Sequence, residues 1–179
     1  MRIPITELGN SLNSNGLHVA KMLNEYDEMK FKDAEGGLTY SRGMFIFSDS
    51  SVLLGEHYKT LREFMAKHNY GCSSVSSMEN GLVFRYKKNY LENMHNIEKN
   101  EHADFEYMLR FHCAEIEFKI EGEWEDRLRI IFPKKVINGY DLNVIEQVSS
   151  LYNYEIYAFL CNIYELKVIL NSLEEEAGA

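Results

Sequence analysis

Acidic side chains are concentrated between residues 101 and 126, where their spacing could support several kinds of chemistry. Only two basic residues, Arg110 and Lys119, lie in this segment. The nine acids are Glu101, Asp104, Glu106, Glu115, Glu117, Glu121, Glu123, Glu125 and Asp126. On a β-strand, Glu115, Glu117 and Glu121 would share one face, because side chains alternate with a period of two. Carboxylates arranged in this way could transfer protons, hold a metal ion or contact a basic partner.

The surroundings of these acids favour two of the interpretations. A glycosidase-type pair needs one carboxyl with a raised pKa, and a solvated strand face lacks the desolvation that raises it. A calcium-binding loop would need regularly spaced aspartates and a glycine, and the sequence has no D-x-D-x-D-G pattern. The acids therefore predict either a solvated face that discourages edge pairing or a recognition surface for a basic partner.

A single tryptophan favours the recognition surface. Trp124 lies among the acids at the tip of a predicted hairpin, and tryptophan is a frequent anchor of protein interfaces. The predicted partner-binding residues are Glu115, Glu117, Glu121, Glu123, Trp124, Glu125 and Asp126.

The cysteines and histidines form no known catalytic or metal-binding motif. Cys72, Cys113 and Cys161 are far apart and have no CxxC spacing, which predicts reduced thiols in a core. None of the six histidines has HxH or HExxH spacing. We predict no catalytic, metal-binding or cofactor-binding residue. A site assembled from distant residues, as in a hydrolase or nuclease, stays open as the alternative.

Hydrophobic periodicity predicts the elements of the N-terminal part. Residues 13–31 and 54–68 have the spacing of amphipathic helices, and Asn69 suits a left-handed helix stop. Residues 39–49, 70–78 and 81–88 are predicted strands. The segment 89–102 is polar and is expected to be a short helix or a loop.

The C-terminal part combines a long β-hairpin with helices. Apolar residues alternate from Phe105 to Ile120, change phase near Cys113, and return over 127–133, which predicts a hairpin over about 105–133. Residues 141–152, with Asp141 as N-cap, and 163–176 are predicted helices, and 154–161 fits either element. The predicted fold class is α+β, a mainly antiparallel sheet with helices on one face.

One short sequence pattern, an internal echo, occurs in both parts of the chain. The predicted helix 54–68 is followed by Asn69-Tyr70, and the predicted helix 141–152 by Asn153-Tyr154. Each helix also has strand-like sequence on both sides. The pattern indicates either two related α/β halves or the chance reuse of one helix stop.

Composition limits the classes of function. The 179 residues fit one domain, with a helical extension over 1–35, and 45% hydrophobic residues suffice for a core. The net charge of −9 disfavours direct nucleic-acid binding. The first ten residues have no apolar signal segment, and no apolar run could span a membrane, so we expect a cytoplasmic protein with no membrane partner and no cofactor.

In overall character the chain resembles anti-CRISPR proteins of the Cas9-inhibiting kind. The resemblance is to short, acidic phage or mobile-element proteins without catalytic motifs, and no particular residue carries it. It implies binding to a CRISPR effector in a bacterial host cell. We therefore expect an inhibitor of a basic nucleic-acid-handling protein that binds through the acidic segment. A homodimer formed through the aromatic strands and the predicted C-terminal helix is a further expectation.

Overall fold

Twelve strands and three helices make up the part of the chain that the computed structural model describes, residues 19–23, 28–32, 38–42, 44–48, 52–78, 81–90, 96–122 and 127–173. The strands are β1 (Val19–Leu23), β2 (Glu28–Lys32), β3 (Leu38–Arg42), β4 (Met44–Ser48), β5 (Val52–Leu54), β6 (Tyr70–Met78), β7 (Gly81–Lys88), β8 (Lys119–Gly122), β9 (Arg127–Phe132), β10 (Val136–Asn138), β11 (Tyr154–Cys161) and β12 (Leu166–Ser172). The helices are α1 (Gly55–Lys67), α2 (Phe105–His112) and α3 (Gly139–Leu151). These elements confirm the predicted α+β class.

The strands pair antiparallel in two five-stranded sheets and one separate hairpin. One sheet has the order β1-β4-β7-β6-β10, the other has the order β8-β9-β12-β11-β5, and β2 pairs with β3. Helices α1 and α3 each contact β6 of the first sheet and β11 of the second. The core therefore lies where both helices meet both sheets, around the packed rings of Tyr58, Phe84 and Phe159.

The two sheets are built from equivalent elements of two halves of the chain. Adding 84 to each residue number converts β5, α1 and β6 into β10, α3 and the start of β11, and relates β4 to β9 and β7 to β12 within one residue. The strand before each helix crosses over to pair in the sheet of the other half. The echo seen at the two Asn-Tyr pairs thus marks two related halves with exchanged strands.

Equivalent residues of the two halves share backbone conformation, hydrogen bonds and strand irregularities. Asn69 and Asn153 both have left-handed backbone, with φ of 66° and 61°, which confirms Asn69 as the predicted left-handed helix stop. Their carbonyl oxygens accept hydrogen bonds of 2.7 Å from the N–H groups of Asn89 and Leu173. Strands β6 and β11 have register shifts after Cys72 and after Ile156, which are equivalent positions.

The glycines that begin α1 and α3 hold the halves together. A methyl group at Gly55 would overlap the carbonyl oxygen of Ile156, and one at Gly139 would overlap that of Cys72. Each helix therefore begins against the irregular point of the other half's strand, at a distance that only glycine allows.

Two predicted helices are wrong in the described residues. Strand β1 and residues 28–31 of β2 lie inside the predicted helix 13–31, and both strands lie inside the predicted helical extension 1–35. Strand β12 replaces the helix predicted over 163–176, because β12 pairs on both sides with β9 and β11. Asn162 Oδ1 accepts from the N–H groups of Tyr164 and Glu165, which forms a tight turn where that helix was expected to begin.

The predicted hairpin over 105–133 is shorter than expected. Its described strands are β8 and β9, and the segment from Phe105 to His112 is a helix. Phe105, Met108 and Leu109 are buried at helical spacing, while Tyr107 and Phe111 are exposed. Asp104 caps this helix by accepting a 2.8 Å hydrogen bond from the N–H of Tyr107. The alternation over 105–113 fits both periods, and the cap and tertiary packing select the helix.

Helix α3 begins earlier than predicted. Asn138 is its N-cap, accepting a 2.8 Å hydrogen bond from the N–H of Asp141, which had been expected to fill that role. Asp141 lies inside the first turn and is buried. Of the segment 89–102, residues 96–100 have no helix or strand and are followed by turns.

Candidate functional site

The predicted acidic residues are divided by the structure. Glu115 lies in the turn after α2 and Glu117 in the loop before β8, so neither shares a strand face with Glu121, which lies in β8. Glu123, Trp124, Glu125 and Asp126 lie outside the described residues. The expectation of one continuous strand face is therefore wrong for Glu115 and Glu117.

The three described acids differ in whether a basic side chain forms an ion pair with them. Glu121 forms ion pairs with Arg129 at 3.2 Å and Lys119 at 3.6 Å. Glu115 and Glu117 are exposed, and no cation of the described residues lies within ion-pair distance of either. Of these three acids, Glu115 and Glu117 are therefore the two whose negative charge is available to a partner.

An exposed aromatic pair lies on the helix just before these acids. The rings of Tyr107 and Phe111, one helical turn apart, stack with centroids 6.3 Å apart and 17° between their planes. Tyr107 is 57% exposed and Phe111 66% exposed. Interpreting 105–113 as a strand concealed this pair. The signals that could have revealed it are the i, i+4 aromatic spacing and the capping Asp104.

Arg110 fastens the acidic loop to α2. Its Nε donates to Glu106 at 3.0 Å, its Nη1 donates to the carbonyl of Phe118 at 3.4 Å, and its guanidinium lies 4.7 Å from the centre of the Phe118 ring. The loop bearing Glu115 and Glu117 is thus held against the helix that carries the exposed rings. We call Tyr107, Phe111, Glu115 and Glu117 the acidic-aromatic surface.

A second candidate site is a half-open groove of about 830 Å³ at the contact between the halves. It lies between the first turns of α1, the facing turns of α3, and strand β11. Arg62 and Glu146, equivalent residues of the two helices, form a 2.8 Å ion pair in its wall. Burial and then the nearby Glu146 carboxylate raise the pKa of Tyr58, which also lines the groove.

The described thiols are buried, and three of the described imidazoles contact nearby side chains. All three cysteines are buried, and burial raises the pKa of each thiol, so the reactive thiolate is disfavoured at neutral pH. His57 lies 3.7 Å from its neighbour Glu56, and the rings of His68 and His112 pack on Phe64 and Phe111. Within the described ranges, no three His, Cys, Asp or Glu side chains are grouped as metal ligands.

No protein-family model, curated protein or solved structure matches the chain. Of the three described helices, none has the length and apolar character to cross a membrane.

Proposed function

We propose that the protein is a non-catalytic, acidic binding protein that inhibits a basic nucleic-acid-handling protein, and that a CRISPR effector in a bacterial cytoplasm is such a partner. The observation that carries the proposal is the acidic-aromatic surface, where a helix with two exposed, stacked rings leads directly into a loop with two exposed acids that no described cation neutralises. Aromatic residues are enriched at protein interfaces, and exposed large apolar groups beside charges are typical of recognition surfaces.

Electrostatics favours a protein partner with a basic surface. The chain carries a net charge of −9 and repels nucleic acid, but it attracts the positively charged channels of proteins that bind nucleic acid. Complementary charge steers association. The rings, which become buried when the partner binds, then slow dissociation. The acids and the rings of one surface thus have separate roles that kinetics can distinguish.

The first experiment is capture of the partner. The tagged protein is incubated with nuclease-treated bacterial lysate at low and high salt, and bound proteins are identified by mass spectrometry. We expect a basic nucleic-acid enzyme in near-equal amount, released as salt rises. Recovery of the chain alone, as a monomer or as a homodimer by light scattering, contradicts the proposal.

Variants of the surface then test its role. Glu115→Lys with Glu117→Lys should slow association about 10-fold or more, while Tyr107→Ser with Phe111→Ser should mainly speed dissociation. Glu63→Lys with Glu98→Lys is the matched control, because both residues are exposed and the charge change is the same. Inhibition that saturates at one protein per partner distinguishes binding from turnover by a hydrolase or nuclease. Equal effects of the test and control pairs would refute the assigned surface.

A further inference from the structure

The groove at the start of α1 is open. The equivalent position at the start of α3 is filled by a side chain of the protein itself. The ring of Tyr90 packs on Gly139, and its carbonyl and Cβ pack on Gly71. Burial raises the pKa of Tyr90, and the backbone of Tyr140, in the first turn of α3, opposes that rise through a hydrogen bond with the phenol. In that half, an aromatic ring with a hydroxyl group closes the start of the helix.

The equivalent ring is not encoded in the other half. Adding 84 to Tyr90 gives Glu174, which has no ring. The three atoms nearest to a methyl group placed on Gly55 are all backbone atoms of β11, whereas at Gly139 the Tyr90 ring is among the three nearest. Gly55 instead lines the 830 Å³ groove.

The wall of this groove presents polar groups that lack partners in the described residues. The Ser149 side chain is 2% exposed and lines the groove, yet its hydroxyl has no hydrogen-bond partner there. A buried hydroxyl without a partner is destabilising, so a ligand that supplies the partner gains free energy of binding. Helix α1 also has no side-chain cap at Leu54, whereas Asn138 caps α3. Both features leave hydrogen-bonding groups without a side-chain partner at residues that line the same groove.

We propose that the groove binds a small hydroxylated aromatic compound. Its ring lies against Gly55 as the Tyr90 ring lies against Gly139, and its hydroxyl accepts from the N–H of Glu56, the equivalent of Tyr140. Ser149 supplies a further hydrogen bond. The volume falls within the range of about 300–1,000 Å³ that is typical of small-molecule sites, so the compound has two or three rings.

Binding is tested by NMR with 2-naphthol as the probe and 2-methylnaphthalene as the control that lacks the hydroxyl. We expect 2-naphthol to shift the amide signals of Gly55, Glu56 and Ser149, and the control to bind at least 10-fold more weakly. Equal affinity of the two compounds, or no shift at these three amides, overturns the proposal. No partner protein is needed, so the result is independent of the proposed function.

Two variants localise the site. Ser150→Trp places a large side chain in the groove from an exposed helical position and should abolish 2-naphthol binding. Ala66→Trp, at the equivalent exposed position of α1, is the matched control and should bind normally. If Ser150→Trp binds as tightly as Ala66→Trp, the ligand lies elsewhere and the proposal is wrong.

The equivalence with Tyr90 makes a separate prediction about stoichiometry. Tyr90→Ala should open the second groove, so p-cresol, which reproduces the tyrosine side chain, should bind at two sites instead of one in calorimetry. A p-cresol stoichiometry that stays at one in the folded variant contradicts the assignment of the ligand class. Ser149→Ala should weaken 2-naphthol binding several-fold without lowering the melting temperature.

Discussion

The two halves of the molecule share their strand order, helix starts and helix stops, but they differ in what lies at the start of each helix. Helix α3 is capped by Asn138 and covered by Tyr90, whereas α1 has no side-chain cap and opens onto the groove. The comparison separates residues that build the fold, which recur in both halves, from residues that one half has alone. Sites of function are expected among the latter.

The segment between the halves supports the same distinction. Helix α2 and the loop after it follow β7 and precede β8, outside the regions that the 84-residue offset relates. This segment carries the acidic-aromatic surface and also supplies Met108 and Leu109 to the core. It is therefore packed firmly enough to present its exposed rings in a fixed arrangement.

The largest expected effect comes from the two glycines that the halves share. Gly55→Ala and Gly139→Ala should each lower the free energy of unfolding by about 3 kcal/mol, because a methyl group would overlap a backbone carbonyl of the other half. Gly139→Ala should cost more, since Tyr90 is displaced as well. Gly122→Ala, whose added methyl group would contact nothing within 4 Å, is the control for urea unfolding. Similar stabilities of all three variants would contradict the close contact.

A pH effect distinguishes the two strand irregularities, where Cys72 is equivalent to Ile156. Burial raises the pKa of Cys72, so its thiol keeps its proton in the folded state above about pH 8.5, where the unfolded thiol ionises. The unfolded state then binds fewer protons, and stability falls by about 1.4 kcal/mol per pH unit for each such thiol.

Replacing this thiol should flatten the pH dependence. Cys72→Val should remove the part of the decrease in the free energy of unfolding between pH 9 and 10 that is due to Cys72. The raised pKa of Cys113 maintains a second part of that decrease. Urea unfolding at pH 7, 9 and 10 measures the difference. Parallel pH curves for the variant and the wild type would show that the Cys72 thiol does not titrate as its burial requires.

Two substitutions test the unequal helix caps, one by removing the cap of α3 and the other by adding a cap to α1. Asn138→Ala should destabilise the protein by about 1 kcal/mol, because the N–H of Asp141 loses its acceptor. Leu54→Asn should stabilise it by up to about 1 kcal/mol, because α1 gains a cap that it lacks. Thermal unfolding of both variants provides the comparison. A destabilising Leu54→Asn would mean that strand β5 needs the leucine more than α1 needs a cap.

The smallest expected effect concerns the ion pair between equivalent residues. Arg62→Glu, Glu146→Arg and the double exchange form a double-mutant cycle, and the coupling should be about 0.5–1 kcal/mol because Arg62 is half exposed. The coupling should decrease in high salt. Two single variants whose losses simply add would show that the pair does not link the halves.

Local sequence predicted the elements whose signals are local. Helix α1 and strands β6, β7 and β9 were predicted within a few residues, because apolar spacing and the stop at Asn69 act over short distances. Six residues are identical at an offset of 84 between positions 44 and 89 and their equivalents. They are Ile46, Val52, Gly55, Asn69, Tyr70 and Leu82. The two Asn-Tyr pairs indicate the repeat in the sequence, and Gly55 and Gly139 mark where the two halves make contact.

The candidate sites were predicted less well, for a physical reason. Glu115 and Glu117 were correctly selected as exposed acids, but their strand context was wrong because Phe105–His112 satisfies both a period of two and a helical period. The groove could not be predicted, because Gly55, Arg62, Ser149 and Tyr157 lie up to 102 positions apart and meet only after the halves pack.

The sequence by itself determined the acidic charge, the α+β class, the helix stops at Asn69 and Asn153, and the reduced thiols of a core. These properties depend on composition and on interactions within a few residues. The tertiary structure decided that β12 is a strand and α2 a helix. It also decided the exchange of strands between the halves and the groove beside Gly55. Those features depend on hydrogen bonds and packing between distant segments, whose free energy exceeds the small differences in local propensity.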